Sequence, residues 1–118
     1  MGRSTTVGSQ SEKLEFLQGT LELPILGSLQ LGANHAYGIS KSLERYSDRE
    51  FVGDNGSLYP AFQRLLQRGW LAANWRTTPN RRARFYTLTA GGKHHLAAEE
   101  SRWHRFVGAM ARILAVEE

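Results

Sequence analysis

The sequence predicts a mostly α-helical fold that carries one β-hairpin, and three observations support this prediction. Apolar residues recur at helical spacing in three stretches before residue 70. They alternate with polar residues between residues 70 and 88, and they return to helical spacing up to residue 116. At 118 residues, of which 41% are hydrophobic, the chain has room for one domain with a modest core.

The first helical stretch extends from residue 14 to residue 31. Pro24 lies inside it, and a proline removes one backbone hydrogen bond and clashes with the preceding turn. We therefore expect either a kink at this point or a late start of the helix. The second stretch precedes a polar link at residues 47–56 and has three apolar residues on one face: Ile39, Leu43 and Tyr46.

The third helix has the clearest apolar stripe, made by Leu58, Phe62, Leu65 and Leu66. Pro60 fits this helix if it begins close by, at about residues 56–57, because amides of the first turn have no helical partner. Gly69 is expected to end the helix as a C-cap.

Two strands are predicted next, at residues 70–77 and 83–88, joined by a turn that carries basic residues. A last helix is expected to begin near Thr89, a residue type suited to an N-cap, and to run toward Val116. Three helices, a hairpin and a long helix form the order of a winged helix-turn-helix with a C-terminal dimerisation helix. In this arrangement the third helix enters the major groove of DNA.

The charge distribution indicates a polyanionic partner. The formal net charge is +4, and the region between Asn55 and Ala98 contains seven lysine and arginine residues and no acidic residue. Such a region attracts a nucleic acid. A solvated basic face without a partner is the alternative interpretation.

The face of the third helix opposite its apolar stripe carries side chains that can read DNA: Ser57, Tyr59, Pro60, Gln63, Arg64 and Gln67. Arg64 can bond a guanine edge, Gln63 can bond adenine, and Ser57 can hold a phosphate at the helix N-terminus. An ordinary solvated face is the alternative, but such faces usually include acidic residues, and this one has none along the sequence.

The predicted hairpin supplies a second basic element, at Arg81, Arg82 and Arg84. Guanidinium groups at this tip can reach a minor groove or the flanking phosphates. Arginines at turns also serve solubility alone. The winged-helix geometry, however, brings this tip and the third helix to the same side of the molecule.

The last helix carries more apolar surface than one small domain can cover: Leu96, Trp103, Phe106, Val107, Met110, Ile113 and Leu114. Pairing with a second copy would bury this surface and give a two-fold dimer suited to a palindromic site on double-stranded DNA. Packing against the first helix of the same chain is the alternative, and both can be partly true.

The sequence lacks several motifs that are typical of enzymes, metal sites and membrane proteins. The chain has no cysteine, no glycine-rich phosphate loop and no histidine pair at metal-ligand spacing. We therefore expect no enzyme activity, cofactor or metal, and we interpret His35 as a structural turn residue. No apolar run reaches membrane-spanning length and the start is polar, so we expect no membrane contact and a cytoplasmic location.

Several short motifs resemble the PadR family of bacterial transcriptional regulators, in its short form with one C-terminal helix. The resemblance covers roughly residues 16–114. In chain order the motifs are Gln18-Gly19-Thr20-Leu21-Glu22-Leu23, His35-Ala36-Tyr37-Gly38-Ile39, Gly56-Ser57-Leu58-Tyr59-Pro60-Ala61 and Arg81-Arg82-Ala83-Arg84-Phe85-Tyr86-Thr87-Leu88-Thr89. Two positions depart from the pattern: Pro24 replaces an aliphatic residue, and Ala36 replaces a glycine.

This resemblance implies a homodimeric repressor that releases DNA when a small molecule or stress signal arrives. It implies DNA contacts by Tyr37, Ser57, Tyr59, Pro60 and Arg64, and phosphate contacts by the arginines of the hairpin. It also places Trp103 where short members can carry an aromatic at the dimer centre, and some of them stack planar ligands on it. A tryptophan of the dimer core without a ligand is the alternative.

The expected division is a disordered tail at residues 1–12, a winged-helix DNA-binding domain at 13–89 and a dimerisation helix at 90–118. Two other function classes remain open at this point. One is an architectural protein that binds nucleic acid without sequence preference, and the other is a winged helix that binds another protein.

Overall fold

This computed structural model describes residues 21–51 and 55–117, and it describes all their side chains except those of residues 55–57. In these ranges lie the helices α1 (Glu22–Ser28), α2 (Ala36–Tyr46), α3 (Asn55–Gln67) and α4 (Ala90–Leu114), and the strands β1 (Asn34–His35), β2 (Leu71–Thr77) and β3 (Arg82–Leu88). The predicted tail and the predicted start of the first helix lie outside the described residues.

The winged-helix prediction is confirmed: among the described residues, three helices precede a β-hairpin, and a long helix follows it. The hairpin is part of a three-stranded antiparallel sheet in the order β1-β3-β2, with Asn34 opposite Tyr86 and Leu71 opposite Leu88. Strand β1 was not predicted, because two residues are too few to show a period. No described helix combines the length and apolar character needed to cross a membrane.

Pro24 is the third residue of α1 and therefore lies in its first turn, where a missing amide hydrogen leaves no helical bond unmade. The helix ends at Ser28, three residues before the predicted end. Gly32 follows with a φ of +146°, which favours glycine in the turn toward β1.

His35 begins α2 as its N-cap, because its Nδ1 accepts a hydrogen bond from the amide of Gly38 at 3.0 Å. This confirms the structural interpretation of His35. Ile39 and Leu43 are buried, whereas Tyr46, on the same face of the helix, is exposed. Tyr46 lies at the end of α2, where it lines an open cleft beside α1 and not the core.

The core lies between the helices and the sheet and is formed by Leu21, Ile25, Leu26, Leu29, Ile39, Leu43, Leu58, Ala61, Phe62, Leu65, Leu71, Tyr86 and Leu96. Helix α3 contributes its predicted stripe, with Leu66 half-buried and Ala61 added. Pro60 is the sixth residue of α3, so the helix lacks the bond that an amide here would donate to the carbonyl of Gly56.

Gly69, two residues after the last residue of α3, closes the helix as predicted and has a φ of +77°. The amide of Trp70 bonds the carbonyl of Leu65 at 3.1 Å, and the amide of Gly69 bonds that of Leu66 at 3.0 Å. This pair of bonds is a Schellman motif, which satisfies carbonyls at the helix end and turns the chain toward β2.

Helix α4 is fastened to this same turn. Thr89 is its N-cap, as predicted: its hydroxyl accepts from the amide of Gly92 at 2.9 Å and donates to the carbonyl of Gly69 at 2.6 Å. The ring of Trp70 stacks on His95 of α4, with centroids 3.5 Å apart. A Cβ at Gly92 would overlap the carbonyl oxygen of Trp70, so a residue without a side chain is required there.

We predict that Gly92→Ala lowers the free energy of unfolding by about 1–3 kcal/mol, because the added methyl group must displace backbone. Gly91→Ala is the matched control. A Cβ at Gly91 would meet only ordinary contacts at 3.8–3.9 Å, so alanine should raise helix stability by about 0.5–1 kcal/mol. Urea unfolding measures both. Equal effects of the two substitutions would contradict the close approach at Gly92.

Candidate nucleic-acid interface

The exposed face of α3 contains most of the residues that the sequence assigned to DNA reading. Pro60, Gln63 and Gln67 are exposed, and Tyr59 is 51% exposed, with its ring edge packed on Phe62 at 6.0 Å between centroids. Ser57 lies in the first turn of α3, and its side chain is outside the described part. These exposed residues present neutral polar and aromatic groups to solvent.

Arg64 has a different environment from its neighbours. Its side chain is 39% exposed, and its Nε donates a hydrogen bond of 2.6 Å to Oε2 of Glu22 in α1. Arg68, in the turn that directly follows α3, approaches the other oxygen of this carboxylate at 3.5 Å. The expectation of an acid-free face is therefore wrong, because the fold brings Glu22 to α3 from 42 residues earlier in the chain.

Tyr37 is the second residue of α2 and its ring is exposed. The ammonium of Lys41 lies 5.5 Å from the ring centroid, within the range of a cation–π contact. Helix α2 also packs against α3. The tyrosine is thus accessible at the N-terminal end of the helix that precedes α3.

The hairpin formed by β2 and β3 is the wing. Its turn is closed by the amide of Thr78, which donates to the carbonyl of Arg81 at 2.7 Å. Arg81, Arg82 and Arg84 are all exposed, as predicted. The pairings of Thr77 with Arg82 and Trp75 with Arg84 place both strand arginines on the face that also carries Trp75.

Trp75 is a candidate that sequence reasoning missed. It is 59% exposed, and the guanidinium of Arg82 lies 5.0 Å from its ring. Arg76 belongs to the opposite face of the wing, where its guanidinium lies 4.7 Å from the ring of Phe85. An aromatic residue amid arginines was the available signal.

Tyr86 joins the wing to α3. Its ring stacks on Phe62 with centroids 4.5 Å apart, and both side chains are buried. Burial raises the pKa of the Tyr86 hydroxyl above its ordinary value of 10.0, although the charge of Arg84 partly opposes this change. Within the described residues, no three His, Asp or Glu side chains are grouped to hold a metal.

Helix α4 extends beyond the core and carries an exposed apolar strip made of Trp103, Phe106, Val107, Met110, Ile113 and Leu114. Leu96 was predicted to belong to this surface, and that assignment is wrong. Leu96 is buried in the core of its own chain, because the first turns of α4 pack against α1 and β3. The alternative interpretation, in which the last helix packs against the first helix of the same chain, is therefore correct for the start of α4. The apolar strip further along α4 is exposed.

A helix with an exposed polar face, packed beside a basic hairpin, defines the winged-helix class. The family described as "Transcriptional regulator PadR-like family" matches residues 25–98, which is more than half of the chain. The chain belongs to this family. Its members are transcriptional regulators and not enzymes, which agrees with the prediction made from the sequence.

Solved structures give the same fold. A PadR family transcriptional regulator from Eggerthella lenta is 28% identical, with a TM-score of 0.75 over 92% of this chain and 94% of the other. A PadR-like regulator from Bacillus cereus has a TM-score of 0.75 at 20% identity, over 87% and 99% of the two chains. A transcriptional regulator from Clostridium thermocellum has the same score at 23% identity, over 83% and 96%. Among curated proteins, none matches the chain.

We predict that the free energy of unfolding falls as pH rises above about 10, and that Tyr86→Phe reduces this fall. The folded state holds the hydroxyl protonated because its pKa is raised. The unfolded chain releases that proton from about pH 10 upward, which favours unfolding. Urea unfolding between pH 8 and about pH 11 measures the effect. Tyr46→Phe, at an exposed ring, is the control, and an equal change in both variants would contradict the prediction.

Proposed function

We propose that this chain is a sequence-specific DNA-binding transcriptional repressor. The proposal rests chiefly on one observation. Helix α3, whose exposed face carries Tyr59 and Gln63, packs against the hairpin that carries the arginines of the wing. Residues 13–89 form the DNA-binding domain in this proposal, and residues 90–118 form the dimerisation helix. The repressor role itself comes from the family resemblance.

In this proposal α3 enters the major groove. Gln63 bonds an adenine edge and Arg64 bonds a guanine edge, while Arg81, Arg82 and Arg84 contact phosphates or the adjacent minor groove. Tyr37, Ser57, Tyr59 and Pro60 complete the contact surface, as the family resemblance implies. The polar face of α3 supports a reading role, and the arginine-bearing wing supports a positioning role.

The apolar strip of α4 supports a homodimer. Six large apolar side chains lie on one exposed strip of a 25-residue helix about 37 Å long. Such a strip is costly in water, and a second copy offers a self-complementary surface that buries it. A two-fold dimer would place two α3 helices toward two half-sites of a palindromic operator.

Trp103 supports a small-molecule effector at the dimer centre. Its ring lies 5.8 Å from that of Phe106, and both rings are exposed in the single chain. Two neighbouring aromatic rings can stack a planar ligand, whose binding would shift the dimer between DNA-binding and released states. A tryptophan that only fills the dimer core is the alternative.

We predict that Arg64→Ala lowers operator affinity by about 1–3 kcal/mol and affects unrelated DNA less, because the lost contact is to a base. The double variant Arg81→Ala/Arg82→Ala should weaken binding to all sequences and reduce the salt dependence. The operator is first identified by sequencing DNA captured by the purified protein, and affinities are then measured at several salt concentrations. Uniform loss in Arg64→Ala would favour an architectural role, and no binding at low salt would favour a protein partner.

We predict that Trp103→Glu gives a monomer with much weaker operator affinity, because a buried charge opposes pairing. Sedimentation measures the oligomeric state. Ser101→Glu is the matched control, since it adds the same charge at an exposed position on the other side of α4. A Trp103→Glu protein that stays dimeric would place the interface elsewhere.

A further inference from the structure

One carboxylate from α1 contacts an arginine of α3, Arg64, and an arginine of the turn that follows it, Arg68. Oε2 of Glu22 lies 2.6 Å from Nε of Arg64, and Oε1 lies 3.5 Å from Nη1 of Arg68. The Glu22 side chain is only 25% exposed, so this group is partly shielded from water. The contact with Arg64 is the shorter of the two, so it fixes the orientation of the Arg64 guanidinium. Arg68 makes a longer contact with the second oxygen of the same carboxylate.

The contact uses one particular edge of the Arg64 guanidinium. A hydrogen bond at Nε fixes the rotation of the planar group and leaves its outer edge, formed by one N–H of each terminal amino group, facing away from the carboxylate. Within the described part of the chain, neither terminal amino group has a hydrogen-bond partner. Two parallel donors of this kind match the O6 and N7 acceptors of guanine in the major groove.

We propose that Glu22 is a positioning residue for DNA recognition, which holds Arg64 through Nε so that its terminal amino groups face a guanine. This inference rests on the proposed function, because it assumes that α3 reads bases. Glu22 touches no base itself and acts through Arg64. It differs in this way from the exposed residues of α3.

The same carboxylate lowers affinity for DNA of any sequence. Together Glu22, Arg64 and Arg68 carry a net charge of +1, whereas the two arginines alone would carry +2. Each positive charge facing phosphates adds to sequence-independent binding through counterion release. Specificity is the difference between the affinity for the operator and the affinity for other DNA, and Glu22 increases this difference in two ways. It orients the base contact and weakens the competing contacts.

Glu22→Gln tests the proposal in the full-length protein, because glutamine keeps the size and removes the charge. Affinities are measured for the operator, for the operator with single guanine substitutions, and for a scrambled duplex. We expect tighter binding to the scrambled duplex. We also expect discrimination at one guanine to fall by at least about fivefold, the lower end of the value of one bidentate contact. Arg64→Gln should lose discrimination at the same guanine, and the double variant should lose no more than Arg64→Gln alone.

Two further variants separate the parts of the proposal. Glu22→Asp keeps the charge but withdraws the carboxylate by one methylene, so guanine discrimination should fall while scrambled-duplex affinity stays unchanged. Glu44→Gln is the control, since its carboxylate pairs with Lys41 on α2 at 3.4 Å and its loss removes the same charge. Thermal unfolding monitors each variant, and Glu22→Asp carries the test if Glu22→Gln does not fold.

Two outcomes overturn different claims. A wild-type protein that prefers its operator, with Glu22→Gln and Glu22→Asp both keeping full guanine discrimination, overturns the positioning role and leaves the proposed function intact. A wild-type protein that binds every duplex equally overturns the proposed function itself. Additive losses in the double variant would show that Glu22 and Arg64 act independently, which also overturns the positioning role.

Discussion

The contact between Phe62 of α3 and Tyr86 of β3 is the interaction on which the candidate interface depends. Both rings are buried and stacked, and they join the helix that bears Gln63 to the strand that bears Arg84. Because interiors pack densely, neither ring can shift without opening a cavity. The polar face of α3 and the basic wing are thus held at one separation, as contact with two parts of a DNA duplex requires.

The turn at the end of α3 extends this rigidity to the C-terminal helix. Gly69 closes α3, Thr89 bonds the carbonyl of Gly69 while capping α4, and Gly92 allows the backbone of Trp70 to approach closely. The direction of α4 relative to α3 therefore follows from three short contacts. In a dimer joined through α4, this direction would determine the spacing of the two reading helices.

Sequence reasoning predicted the features that depend on local pattern. The apolar stripe of α3, the two strands of the wing and the caps at Gly69 and Thr89 each follow from neighbours within a few residues. It did not show that Tyr46 is exposed, that Leu96 is buried within its own chain or that the short strand β1 forms, because these environments depend on elements far away in the chain. A residue on the correct helical face is buried only if another element covers it, and periodicity does not reveal that.

The effect of Glu22 on the charge near Arg64 also depends on a residue far away in the chain, so the sequence pattern does not reveal it. A run without acidic residues describes neighbours along the chain, whereas a field depends on neighbours in space. Once Glu22 is included, α3 near Arg64 is only weakly positive and the wing carries exposed arginines. In the proposed function, long-range attraction to phosphates would come mainly from the wing, and discrimination between bases would come from α3. Two surfaces of different charge on one rigid unit allow affinity and specificity to change separately.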